Sequence, residues 1–115
     1  MKVVFDLILQ TLQEANIAPV YALGAHQGVI DGKLIVVKPA SSTQYLNYST
    51  TVQYFEILCY GRTISETVNL FEQVKQAMKS LEMTVMPTFL TNTPFYESNV
   101  KGWQISSTYR NYVKN

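Results

Sequence analysis

Apolar and polar positions alternate along this chain with periods that change from segment to segment, and those periods predict its elements. Val4, Phe5, Ile8, Leu12 and Ala15 recur at intervals of three and four, with Gln10, Gln13 and Glu14 on the other side, so residues 2–15 are predicted to be a helix. Pro19 ends it by forcing its predecessor out of the helical region, and Val20-Tyr21-Ala22-Leu23 reads as extended. Asp31-Gly32 lies between apolar runs and predicts a tight hairpin joining strands at about 27–30 and 33–38. The second of these is apolar on both faces, which places it inside a sheet, and Pro39 is expected to close it.

Residues 40–50 are polar except for Tyr45, Leu46 and Tyr48 and are expected to form a projecting loop. Its aromatics either fold back on their own domain or dock on another chain. A long strand rich in β-branched and aromatic residues is predicted over 51–61. Thr63-Ile64-Ser65-Glu66 has the spacing of a capping box and opens a helix over 64–81, with Ile64, Val68, Phe71, Val74, Met78 and Leu81 as its expected buried stripe. A strand at about 84–90, a turn-rich stretch at Asn92-Thr93-Pro94 and a last strand over 102–113 complete the chain. In that last strand Trp103, Ile105, Ser107, Tyr109 and Asn111 alternate with Gln104, Ser106, Thr108, Arg110 and Tyr112, a period of two. The order α-β-β-β-α-β-β implies one α+β domain, residues 1–115, with two helices packed on one mainly antiparallel sheet.

Composition narrows the functional classes. The chain has 115 residues, a formal net charge of +1, 47% hydrophobic residues and 15% charged residues. That charged share is low against about 25% in ordinary soluble domains. Weak surface charge reduces self-repulsion and favours association. Nine basic against eight acidic side chains form no basic stripe, which argues against reading nucleic acid. The single Cys59 cannot form an internal disulfide, so no oxidising compartment is required. Asp6 and Gln10 interrupt the first apolar stretch, so no signal peptide is expected, and no apolar run is long enough to span a membrane.

Catalytic constellations are not legible. His26 is the only histidine and lies in a glycine-flanked turn, where water exposure is the simpler reading. Together with Cys59 it does not make a metal-ligand set. Gly24 and Gly28 lack the Lys and Ser/Thr of a phosphate loop. Acidic residues occur singly. Glu56 is the one carboxylate inside an apolar strand, and it either is buried with a raised pKa or faces solvent beside a basic neighbour. The chain is therefore read as a non-enzyme with no cofactor and no metal.

The order of elements, with Lys33-Leu34-Ile35-Val36-Val37-Lys38-Pro39, a polar loop, Tyr54-Phe55-Glu56-Ile57-Leu58-Cys59-Tyr60-Gly61-Arg62 and a capped helix, resembles the tail terminator (tail-completion, head–tail joining) proteins of long-tailed bacteriophages and related phage minor capsid proteins. The resemblance implies a structural virion protein, made in the host cytoplasm. It would be one subunit of a homohexameric ring at the tail–neck junction, where the ring terminates the tail tube and joins it to the head connector. Its partners would be other copies of itself, the tail tube protein and the neck protein, with DNA only as passing cargo and no membrane. By position, Tyr45, Leu46 and Tyr48 are the candidate subunit or partner contacts, and Phe95 and Tyr96, after Pro94, are a second candidate because aromatics are enriched in interface cores. The chain departs from that pattern in lacking an evident ring of acidic residues for the lumen. The alternatives are another neck or minor capsid component of the same fold, or a small cytosolic ligand-binding α+β domain.

Overall fold

A computed structural model describes residues 4–22, 32–44, 50–81, 84–91 and 93–114. The β-branched and aromatic run of residues 50–61 forms strand β3 (Thr50–Gly61), numbered after β1 (Val20–Ala22) and β2 (Leu34–Gln44). It pairs antiparallel with β6 (Gly102–Lys114) through an unbroken register from Thr50↔Lys114 to Gly61↔Trp103. These two strands are the spine of a six-stranded sheet in the order β1-β2-β3-β6-β4, where β4 spans Met86–Thr91. A short β5 (Phe95–Glu97) pairs with the start of β6. Helix α1 (Val4–Ala15) lies over β1 and β2, and helix α2 (Ile64–Met78) lies over β3 and β6. The chain is thus an α+β fold of two helices and one mostly antiparallel sheet.

The strand boundaries differ from the sequence reading in instructive ways. Pro39 does not close β2. The strand continues to Gln44 through a bulge at Ala40, with Pro39 opposite Phe55 and Ser41 opposite Tyr54. Strand β1 pairs with β2 only as far as Val37, so proline's missing N–H falls where it removes no bond to β1. Residues 40–44 and 50 are therefore strand, and the expected loop of residues 40–50 is corrected at both ends. Polar side chains hide nothing about backbone pairing, which β3 templates with its own amides and carbonyls. The expected first hairpin strand, residues 27–30, lies outside the described residues. Instead, β1 pairs with β2 in parallel, entered by the Ile35 amide donating to the Pro19 carbonyl at 2.9 Å.

Strand β4 begins two residues later than expected. The amides of Thr84 and Val85 both donate to the Leu81 carbonyl, which closes a turn after a short 3-10 segment, Lys79–Leu81. Between Pro87 and Thr91 β4 loses register with β6. There the Thr88 hydroxyl donates to the Thr108 carbonyl at 2.9 Å, replacing a ladder bond by a side chain.

The capping box forms. Thr63 Oγ1 accepts from the Glu66 amide at 3.1 Å, and Glu66 Oε1 accepts from the Arg62 amide at 2.9 Å. The carboxylate thus reaches one residue further back than the usual reciprocal pair. The buried stripe of α2 is Thr67, Leu70, Val74 and Met78. Of the expected stripe only Val74 and Met78 are buried; Val68, Phe71 and Leu81 are half-buried, Ile64 is 47% exposed, and Thr67 and Leu70 take the buried positions instead. In α1, Ile8 and Leu12 are fully buried as expected, while Ala15 is exposed. Asn16 ends this helix with φ 54, a left-handed position that asparagine tolerates.

One core fills the space between helices and sheet: Ile8 and Leu12 of α1; Leu70, Val74 and Met78 of α2; and Ile35, Val37, Phe55, Ile57, Cys59 and Tyr109 of the sheet. Gly61 marks its tightest approach. A Cβ there would lie 2.6 Å from Thr67 Oγ1 and 2.9 Å from the Thr67 amide nitrogen. The backbone of α2 cannot give way without leaving the core, so Gly61→Ala is expected to cost about 1–3 kcal/mol. A urea denaturation series on the two proteins measures it; equal midpoints would contradict this packing.

Candidate interaction surface

The helices cover one face of the sheet, and the odd-numbered residues Phe55, Ile57 and Cys59 of β3 point into it. The even-numbered residues of β3 and β6 therefore line the opposite face, where neither helix lies. Across its middle, Lys38 of β2 pairs with Glu56 of β3 at 3.0 Å, the two side chains being half-buried. Glu56 is thus a surface carboxylate beside a basic residue of the neighbouring strand, as one of the two sequence readings had it. Nearer one end, Gln104 Nε2 donates to both Glu97 Oε1 at 2.7 Å and the Tyr60 hydroxyl at 2.8 Å, tying β5 to β6 and β3. Burial pushes the Tyr60 hydroxyl above its ordinary pKa of 10.0, outweighing the hydrogen bond from Gln104. Nearer the other end, the Arg110 guanidinium lies 5.7 Å from the centre of the Tyr112 ring.

Phe95 and Tyr96, both singled out by sequence, are 41% and 52% exposed. Strand alternation sends them to opposite faces: Phe95 sits opposite Gln104 on the helix-free face, and Tyr96 sits opposite Trp103 on the helix side. The Tyr96 ring meets the Trp103 ring edge-on, with centroids 5.7 Å apart. Trp103 also lies opposite Gly61, and its carbonyl accepts from Thr67 Oγ1 at 3.5 Å. Ile64, one turn before Thr67, is therefore at this same end. Among the described residues, the exposed large apolar side chains Ile64, Phe95 and Tyr96 lie at this end, and Tyr112 lies toward the far end of β6. Ile64 was missed as a surface residue because its spacing from Val68 and Phe71 fits a helical stripe, while the sheet buries the neighbouring row through Thr67, Leu70, Val74 and Met78.

Tyr45, Leu46, Tyr48 and His26 lie outside the described residues. Cys59 is wholly buried, and burial pushes its thiol up to about 12, so it is a packing residue and not a nucleophile. Among the described residues no three His, Cys, Asp or Glu side chains gather as metal ligands, and no helix is long and apolar enough to cross a membrane. Among the described residues the buried Arg110 Nε has no hydrogen-bond partner. What this arrangement offers chemically is contact: aromatic and aliphatic side chains at one end, and a mixed aromatic and charged sheet face. The chain matches no protein-family model and no curated protein.

Proposed function

We propose that this chain is a structural virion subunit of a long-tailed bacteriophage, forming the ring that terminates the tail tube and joins it to the neck. The observation that carries this reading is the shape of the sheet. The molecule measures 45 × 26 × 24 Å, and β2, β3 and β6 run on past Phe55 and Tyr109, the last sheet residues of the main core cluster on that side, with Val52 and Asn111 still buried beyond them. Exposed apolar side chains lie at opposite ends of those strands, so they cannot cover one another within one molecule. Contact between unlike ends of identical chains is heterologous, the kind that closes rings. The order of elements supports the same reading. Another neck or minor capsid component would present similar surfaces. In a ligand-binding domain, by contrast, a cavity would be wanted beneath α2, where Leu70, Val74, Ile57 and Cys59 are each wholly buried side chains.

Light scattering across a concentration series, with negative-stain microscopy of the chain alone and mixed with tail tubes, tests the assignment. A ring is expected in at least one of these conditions. Tyr96→Lys, which places a charge at the exposed aromatic end without touching the core, is expected to weaken assembly about tenfold or more. A strict monomer at every concentration, alone and with tail tubes, would overturn the proposal.

A further inference from the structure

We infer that Pro87 guards the outer edge of β4, barring the sheet from adding a strand of a second copy of the chain on that side. Strand register carries this, independently of the tail-terminator reading. Among the described residues β4 ends the sheet, with no strand beyond it. Pro87 stands opposite Tyr109 of β6, and a proline in that place cannot donate to its partner. The carbonyl of Thr108, the residue before Tyr109, points toward β4, where it accepts from the Thr88 hydroxyl. Alternation then turns the backbone groups of Met86 and Arg110 toward each other and the Pro87 nitrogen outward. Directly afterwards, residues 88–90 stand against Thr108 alone, a bulge that breaks the outward row of amides a second time.

An unpaired edge is a template for another strand, and proteins commonly blunt it with charge. In β4 that device is missing. Met86-Pro87-Thr88-Phe89-Leu90-Thr91 carries no charged side chain, and a net charge of +1 over the whole chain adds little repulsion between copies. Without its proline this strand has the composition of a segment that pairs with copies of itself. The other side of the sheet is treated in the same way. Strand β2 pairs with β1 only as far as Val37, and just beyond, Pro39 stands opposite Phe55 with its nitrogen turned away from β3, beside the bulge at Ala40. The two remaining prolines, Pro19 and Pro94, directly precede the outer strands β1 and β5. None of the chain's four prolines lies in the central β3 or β6.

Replacing the proline returns an outward donor, and three variants of the full chain separate what comes with it. Pro87→Val supplies an N–H and a β-branched side chain, and is expected to associate about tenfold or more tightly than the parent, read by sedimentation velocity over a concentration series. Pro87→Ala supplies the N–H alone and is expected to follow it, which keeps the test open if valine is not accommodated. Pro87→Lys supplies the N–H together with a charge, the common edge guard, and is expected to sediment as the parent does. Hydrogen exchange locates the contact: amides of β4 are expected to gain protection in the associated valine variant, and those of α1 are not. The inference is overturned if Pro87→Val and Pro87→Ala, folded by circular dichroism, associate no more than the parent. It is equally overturned if Pro87→Lys associates as strongly as they do, or if the added contact protects other segments and leaves β4 open. Protection of β4 in the parent at high concentration would also overturn it, because the edge would then be in use with its proline in place. Each variant is compared with the parent in whatever state the parent sediments, so a parent that forms no ring counts against the tail-terminator reading and not against this one.

Discussion

Leu70→Ala is expected to destabilise the protein by about 3 kcal/mol and to lower its Tm by about 12–18 °C. Leu70 is wholly buried on α2, between Thr67 and Val74, in the cluster that also holds Ile57 and Cys59 of β3. Truncating it loses the transfer energy of the removed methyl and methylene groups and leaves a cavity that two rigid layers cannot close. Ile64→Ala provides the contrast. Apolar periodicity puts Ile64 in the buried stripe, and a stripe residue would cost as much as Leu70. The structure exposes Ile64 by 47%, so its truncation is expected to cost less than about 1 kcal/mol, partly offset by the better helix propensity of alanine. Thermal denaturation of both variants separates the two descriptions: comparable losses would mean that α2 is rotated from the position described above.

The second large effect is alkaline. Cys59, Tyr109 and Tyr60 each ionise by losing a proton, and for each, burial is the main cause holding the folded-state pKa above the ordinary value. A group of this kind leaves stability intact below its unfolded pKa and erodes it above, because only the unfolded chain can release the proton freely. For Cys59 the ordinary value is 9.0 and the folded value about 12, so the loss begins near pH 9 and continues toward pH 12. Fully developed, it is on the order of 4 kcal/mol, with the tyrosines adding to it above their ordinary 10.0. Urea midpoints measured from pH 7 to pH 11 are expected to hold level and then fall from about pH 9. Cys59→Val, close in volume, is expected to delay the fall by removing the thiol while leaving both tyrosines. An unchanged onset in that variant would remove Cys59 from the account. The same burial predicts that iodoacetamide alkylates Cys59 only as fast as the protein opens.

The two interaction tests proposed above concern surfaces, and surfaces were less legible in the chain than the core was. Phe95 and Tyr96 stood out as aromatics beside Pro94 in a turn-rich stretch, and both are exposed. Their division between two faces follows from β5, a three-residue strand too short for any period to announce. Arg110 was legible as a member of the polar alternation in β6. Which residues β3 and β4 set opposite it, Tyr54 and Met86, is encoded by no local pattern. Glu56 shows the same limit. Its position in an apolar strand left both burial and pairing open until the β2–β3 register put Lys38 beside it.

What the chain determines by itself is local and periodic. The capping box at Thr63 and Glu66, the presence of both helices, the long β3 and the alternation of β6 follow from side-chain spacing, although α2 ends at Met78 and residues 79–81 are 3-10 rather than α-helix. The α+β class follows too, because each element advertises apolar positions that must be covered. Tertiary structure alone decided the parallel β1, the passage of β2 through Pro39, the bulge at Ala40 and the exposure of Ile64. Each of these depends on backbone groups finding partners far along the sequence, or on which row of a helix the sheet buries. The physical reason is common to them all: hydrophobic period records which side of an element faces the core, whereas strand pairing is made by amides and carbonyls that every residue but proline shares alike.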